Sequence, residues 1–303
     1  MIRSLNDMIV NARASGRKKL AVAAANEVEV LRAVEQARSE GLVEGILVGD
    51  KTAIESACEQ AEVKSSDYRV VNVSQPPAAA LECCRMIREG SADFMMKGAI
   101  KTGDFMKAIL DKNDGLSRGG LLSHVAVFET DNLGRLIFVT DAAINIFPTL
   151  SEKAGIVQNA VGIAQNIGYD EPIVACLGAV EVVNPDKMPD TVDSAALAVM
   201  SQRGQITGCV IDGPLALDVA ISEKAASVKG LKSPGAGRAD ILLAPEIHSA
   251  NILYKSLTYI SGAQAAAIVT GTIAPVVLTS RADDHQTKFL SIAMGAAGIK
   301  TDN

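Results

Sequence analysis

"KKLAVAAANEVEVLRAVEQARSEGLVEGILVGD", residues 18–50, decides the fold. Residues 18–25 are an apolar run that predicts a strand. "NEVEVLRAVEQARSEG" (26–41) places its apolar residues at a spacing near 3.6 and ends in Gly, which predicts a helix with its stop. "VEGILVGD" (43–50) is a second strand. Strand, helix and strand in succession specify a crossover between parallel neighbours. Working toward the C-terminus, helices are predicted at 51–62, about 77–90 and 102–112, alternating with strands at 68–73 and 92–98. "SHVAVFET" (123–130) and "RLIFVTDAA" (135–143) flank the turn-like "DNLG" and predict a hairpin or two neighbouring strands. The alternation then resumes. Helices are expected at 151–168, near 190–203, at 215–226, at 248–261 and about 284–297. The strands are "PIVACLGA" (172–179), "GCVIDGP" (208–214), "ADILLAP" (239–245), "AAAIVTGT" (265–272) and "PVVLTS" (275–280). The class is α/β with mainly parallel sheets, and a new series of βα units places a boundary near 140.

The composition suits that class. The chain has 303 residues, enough for one large or two medium domains, and 48% of them are apolar. Aromatic residues make up 3% and Trp is absent, so the core must be built from Ala, Val, Ile, Leu and Met. The net charge of −6 argues against a nucleic-acid-binding protein. No apolar run reaches the ~18 residues of a membrane span, and the N-terminal stretch lacks a signal-type apolar region. Five cysteines without CxxC spacing fit reduced thiols in a cytoplasmic protein. Three histidines without HxH or HExxH make a dedicated metal site unexpected. Neither GxGxxG nor GxxxxGK[ST] occurs, so neither a dinucleotide fingerprint nor a P-loop is supported.

Ligands of open α/β sheets bind beyond the carboxyl ends of strands, so polar groups there are the candidates. They are Lys97-Gly98, Ser123-His124, Asp141 to Asn145, Asp212-Gly213-Pro214, Pro245-Glu246 and Ser280-Arg281. Each is equally readable as a turn or helix cap. His124 on its apolar strand is equally readable as a core histidine. "KSPGAGRAD" (232–240) adds a Gly-rich loop with Lys232 and Arg238, either an anion cradle or an ordinary surface turn.

Five longer segments carry a resemblance: "SHVAVFET", "AVEVVNPDKMPDTVDSAAL" (179–197), "DGPLALD" (212–218), "AGRADILLAP" (236–245) and "NILYKSLTYISGAQAAAIVTGTIAPVVLTSRADD" (251–284). In this order they resemble the phosphate acyltransferase family over essentially the whole chain, most closely its phosphate butyryltransferase branch. The resemblance implies reversible transfer of a short acyl group between CoA and inorganic phosphate. Acyl-CoA and phosphate are then substrates, with no permanently bound cofactor or metal. It implies two α/β/α domains with an interdomain cleft, similar to isocitrate and isopropylmalate dehydrogenases. The first domain would comprise 1–139 plus 268–303 and the second 140–267. It also implies a homodimer or higher homo-oligomer, with no nucleic-acid or membrane partner.

By the same resemblance Ser280 orients the CoA thiol and Arg281 binds phosphate and offsets negative charge on the acyl-phosphate oxygens. Fixed donors and cations are what a thiolate, a phosphate and a tetrahedral oxyanion require. The acetyl branch has an aspartate seven residues after the serine, where this chain has Thr287. Asp283, Asp284 and His285 stand nearby. In a helix from about 283, Asp284 lies one turn before Thr287 and is the candidate base, with a helix cap as its alternative. Lys107 occupies the place of an acetyl-branch arginine and keeps its charge without the bidentate fork. Ser123, His124, Asp141, Asn145, Asp212, Gly213 and Lys255 are candidate substrate contacts, and Gly237 with Arg238 a candidate CoA or phosphate loop. The rivals are a phosphate acetyltransferase or broad-range acyltransferase, a nicotinamide-dependent decarboxylating dehydrogenase on a similar fold, and a non-catalytic CoA-binding protein.

Overall fold

The structure, a computed structural model, describes residues 2–280 and 282–299. The chain divides into two compact units. A terminal unit comprises Asn6–Gly120 with Ala266–Asn303, and a central unit comprises Leu121–Ala265 with Met1–Leu5.

The terminal unit contains the stretch that decides the fold. β1 (Lys18–Ala23), α2 (Val28–Ser39) and β2 (Val43–Gly49) follow α1 (Leu5–Ala14). β1 and β2 pair in parallel from Lys18↔Val43 to Ala23↔Val48. α3 (Lys51–Ala61) starts where Asp50 accepts the Ala53 amide at 2.8 Å, and leads to β3 (Arg69–Asn72). α4 (Pro76–Arg88) opens with proline at its first position, where the missing N–H has no helical partner to lose. β4 (Phe94–Lys97), α5 (Thr102–Ile109), β10 (Gln264–Thr270), β11 (Val276–Val277) and α11 (His285–Ala297) complete the unit. The strand order is β3-β2-β1-β4-β11-β10, parallel except for the β10–β11 pair. β1 continues outward to β2, whereas β4 lies on its other side. That reversal marks the carboxyl ends of β1 and β4 as the place where open α/β sheets take ligands. β11 runs parallel to β4, so its carboxyl end arrives at the same edge.

Two details depart from the sequence reading, and the burial of the last helix adds a third observation. The strand predicted at 275–280 is only two residues long, because Leu278 to Ser280 turn toward α11 instead of extending the ladder. α1 was not predicted. It is short, and one of its anchors is the pair of Arg13 with Glu40 at 3.1 Å, a contact invisible to local pattern. α11 buries every residue from Lys288 to Ala297, so its sequence is apolar on all sides rather than striped.

The central unit has the order β5-β6-β9-β7-β8. β5 (Ser123–Glu129) and β6 (Ile137–Thr140) form the expected hairpin, with Val125↔Thr140 at its far end. β6 then pairs in parallel with β9 (Ile241–Leu243), which ties the hairpin to the central sheet. By its internal contacts this unit runs from Leu121 to Ala265. α6 (Leu150–Ile167) has a complete capping box between Thr149 and Glu152. β7 (Ile173–Leu177), α7 (Asp190–Gln202) and β8 (Val210–Leu215) follow. The single helix predicted at 215–226 is two, α8 (Leu217–Ile221) and α9 (Glu223–Val228). Ser222 leaves helical geometry to accept the Ala225 amide and restart the helix. The helix predicted at 248–261 is α10 (Ile247–Lys255) followed by one wider turn, Ser256–Ile260.

Candidate active site

Three chain turns follow the carboxyl ends of β1, β4 and β11 in the terminal unit. Ala24, at the end of β1, takes a left-handed φ of 53°, a conformation that costs a non-glycine residue roughly 1–2 kcal/mol. Its carbonyl accepts the Ala99 amide at 2.8 Å, and the Ala23 carbonyl accepts that of Gly98 at the same distance. Lys97, at the end of β4, is only 5% exposed and donates to the Gly98 carbonyl. The third turn carries Ser280, which is exposed.

The Ser280 turn is held from several sides. Its amide donates to Asp283 Oδ2 at 2.8 Å, and its Oγ accepts the Ala282 amide at 3.3 Å. With Oγ already accepting, the hydroxyl proton remains available for an outside acceptor. Asp283 thus shapes the turn. Arg281 lies outside the described residues.

Asp284, the candidate base, is the N-cap of α11 and accepts the Thr287 amide at 2.8 Å. That hydrogen bond holds its carboxyl below the usual carboxylate range, against a smaller opposing effect of burial. A carboxylate so held is a weaker base than an unbound one. Asp284→Ala is expected to cost about 0.5–2 kcal/mol of stability. Because the folded pKa is depressed, this contribution is present above the unfolded value and lost as pH falls through the folded one. Thermal melts should therefore separate variant and parent at pH 7 and converge as the pH falls below the depressed folded pKa. His285 approaches Glu29 at 3.8 Å, away from the turn. Lys107 on α5 is 82% exposed and bonds to Asp104 at 3.2 Å.

The candidates of the central unit fall into three groups. At one end of the hairpin, Asp141 accepts the amides of Ala143, Ile144 and Asn145, and the Asn145 side chain at 2.6 Å. Asn145 also donates to the Leu122 carbonyl, and Asn159 donates to Ser123 Oγ at 3.0 Å. These polar groups order their own loop. His124 is buried beside Tyr254, ring centroids 5.9 Å apart, and Lys255 stacks over Tyr254 and Tyr259 at 5.0 and 5.4 Å.

The second group surrounds β8. Asp212 accepts the Gly235 amide at 2.8 Å, which fastens the Gly-rich loop to the sheet. A side chain on Gly213 would lie 2.7 Å from Cys176 Cβ, so glycine there permits the close approach of β8 to β7. In the loop, Gly237 has φ 74° and donates to Val219 at 2.7 Å, and a Cβ would stand 2.3 Å from the Glu223 amide nitrogen. Arg238 reaches Glu223 at 3.4 Å, and both side chains are largely exposed. Lys232, Ser233 and Arg238 line a recess of about 630 Å³ here.

The third is a larger cavity of about 740 Å³ at the carboxyl ends of β7 and β9, where the strand order of this unit reverses. Its walls include Phe147, Leu177, Met188, Leu217 and Leu253. The buried Lys153 ammonium lies within it, paired with Asp193 at 2.7 Å. Sequence reading missed both residues, because a lysine in the first turn of a helix reads as a solvated charge. Among the described residues no cluster of His, Cys, Asp and Glu could hold a metal ion. None of their helices is long and apolar enough to cross a membrane.

Together these features describe an α/β protein with two switch points, one presenting a hydroxyl-bearing turn near the buried Lys97 and the other a cavity holding the buried Lys153. The family described as "Phosphate acetyl/butaryl transferase" matches residues 77–296, and the chain belongs to it. It is 48% identical over 296 residues to a phosphate butyryltransferase of Clostridium acetobutylicum, covering 98% of each chain. It is 44% identical over 292 residues to a phosphate acetyltransferase of Thermotoga maritima, covering 96% of this chain and 98% of that one. Among solved structures, a branched-chain phosphotransacylase from Enterococcus faecalis V583 superposes with a TM-score of 0.83 at 32% identity. That match covers 93% of this chain and 99% of the other. The family activity is reversible acyl transfer between CoA and phosphate.

Proposed function

We propose that the chain is a phosphate butyryltransferase, converting butyryl-CoA and phosphate to butyryl phosphate and CoA and back. The 48% identity to a butyryltransferase over nearly the full length of both chains carries this reading. In the acyl-phosphate direction the CoA sulfur attacks the carbonyl carbon, a C–S bond forms, the C–O bond to phosphate breaks, and phosphate leaves with the electron pair. Ser280 donates its hydroxyl proton toward the sulfur and orients it. Arg281 offsets the negative charge on the carbonyl and phosphate oxygens. With Asp284 occupied as a cap, the thiol ionises without a dedicated base. A thiol with a pKa near 8.5 is already a few per cent thiolate at pH 7. No electrons are exchanged, and the transfer as written needs neither a metal nor a resident cofactor. Soluble cytoplasmic homo-oligomers are the form we assign to it.

The protein's own thiols do not compete as nucleophiles. All five cysteines are free and buried. Burial pushes Cys84 and Cys176 up to about 12 and Cys209 up to about 11. A thiol-reactive dye can therefore follow CoA release without background from the native protein. Release from butyryl-CoA that requires phosphate, and runs well ahead of acetyl-CoA, is the expected result. The 44% identity to an acetyltransferase favours the second reading, a phosphate acetyltransferase, which preference for acetyl-CoA would establish. Phosphate-independent release would mean a thioesterase and would overturn the mechanism, and no release would leave a CoA-binding protein.

A further inference from the structure

Lys288 is among the most buried side chains of the terminal unit, 1% exposed. It sits in the first turn of α11, where the helix dipole is unfavourable to a cation. Burying an ammonium is costly unless it is paired and hydrogen-bonded. The structure supplies two hydrogen-bond acceptors and one ion-pair partner. They are the backbone carbonyl of Asp283, the backbone carbonyl of Ser280 at 3.3 Å, and the Glu27 carboxylate at 3.7 Å.

The choice of acceptors is informative. The two carbonyls bracket the segment 280–283, so one ammonium closes the turn that begins at Ser280. Glu27 comes from the chain just after β1 and anchors that ammonium there. Asp283, whose carboxylate accepts the Ser280 amide, closes the same turn from the other side. A neutral apolar residue at 288 would fill the space in α11 but could not hold either carbonyl.

We infer that Lys288 is a positioning residue for acyl transfer, holding the backbone carbonyls of Ser280 and Asp283 so that Ser280 meets the reacting atoms in one geometry. The inference rests on the assignment of Ser280 to the chemistry. Lys288 touches no substrate in this scheme and acts through the turn.

The test is a double-mutant cycle of Lys288→Met and Ser280→Ala in the full-length enzyme, with kcat and KM measured for butyryl-CoA and phosphate. Misplacing a reacting group by about 1 Å costs on the order of 100-fold in rate. Lys288→Met is therefore expected to lower kcat by about that factor with KM for butyryl-CoA nearly unchanged. Groups that act as a unit are strongly non-additive, so its effect in the Ser280→Ala background should be much smaller. Hydrogen exchange gives a readout independent of activity. The amides of Ala282 and Asp283, which bond to Ser280, should exchange faster in Lys288→Met while the core strands stay protected. Effects that multiply in the cycle, or exchange raised throughout the unit, would overturn the inference. If Lys288→Met does not fold, Lys288→Gln takes its place in the same cycle, because its amide can still donate to one carbonyl. Unfolding of both variants would assign the ammonium to the core instead of the turn and overturn it too. An unchanged kcat in Ser280→Ala alone would remove the assignment on which the inference stands, whereas additive losses leave that assignment intact.

Discussion

Arg281→Ala is expected to lower kcat by about 10²–10³-fold, the usual loss when one donor to a developing oxyanion is removed. The reaction gathers a thiolate, a phosphate and a carbonyl that becomes anionic, all at one centre. A guanidinium can give two parallel hydrogen bonds to a phosphate and keeps its charge at any working pH. Arg281→Lys should recover only part of the loss, because an ammonium supplies the charge without the fork. Steady-state kinetics in both directions check this. The forward and reverse reactions share one transition state, so kcat/KM must fall by the same factor in each. A drop of less than threefold in Arg281→Ala would take Arg281 out of the chemistry.

The second large effect is on stability. Phe94 opens β4, is fully buried, and pairs across the ladder with Leu20. Its ring lies against the backbone of α11, so closely that a Cβ on Gly295 would stand 2.8 Å from Phe94 Cε2. Removing the ring leaves a cavity between sheet and helix that neither can collapse to fill. Phe94→Ala is expected to cost about 3–5 kcal/mol in urea or thermal unfolding. Because α11 also carries the Asp284 cap and Lys288, the same variant should lose activity before it loses its fold as denaturant is added. A cost below 1 kcal/mol would mean that α11 settles onto the sheet without the ring.

The βα alternation was legible because strand and helix periods differ, and residues 18–50 show both with a glycine between them. Failures occurred where a side chain competes with the backbone or a partner lies far away in sequence. Ser222 divides a helix by capping a new one. The wider turn after Lys255 includes Thr258, whose hydroxyl bonds back to the Tyr254 carbonyl at 3.1 Å. The hairpin at 123–140 was recognised, but its pairing with β9, about a hundred residues onward, carries no local signal. Among the candidate site residues, Ser280 was proposed from the motif that follows its strand. Asp284 was weighed as base or cap, and its hydrogen bond to Thr287 places it as a cap. Lys288 went unnoticed because a lysine in a helix carries no mark of burial. Only the carbonyls of a turn eight residues earlier, and a glutamate from the other end of the unit, reveal what it holds.

The discontinuity of the terminal unit has a consequence for synthesis. Its first segment ends at Gly120 and its second begins at Ala266, with the whole central unit made in the interval. At ~5–20 residues per second the ribosome takes roughly 7–30 s to cross that gap. Throughout it β4, with all four of its residues destined for burial, waits as an open sheet edge, because β11 has not yet been made. β11, which pairs with this edge, and the Ser280 turn that follows it are made only after the central unit. The edge is therefore closed by the same late segment that carries the candidate site turn.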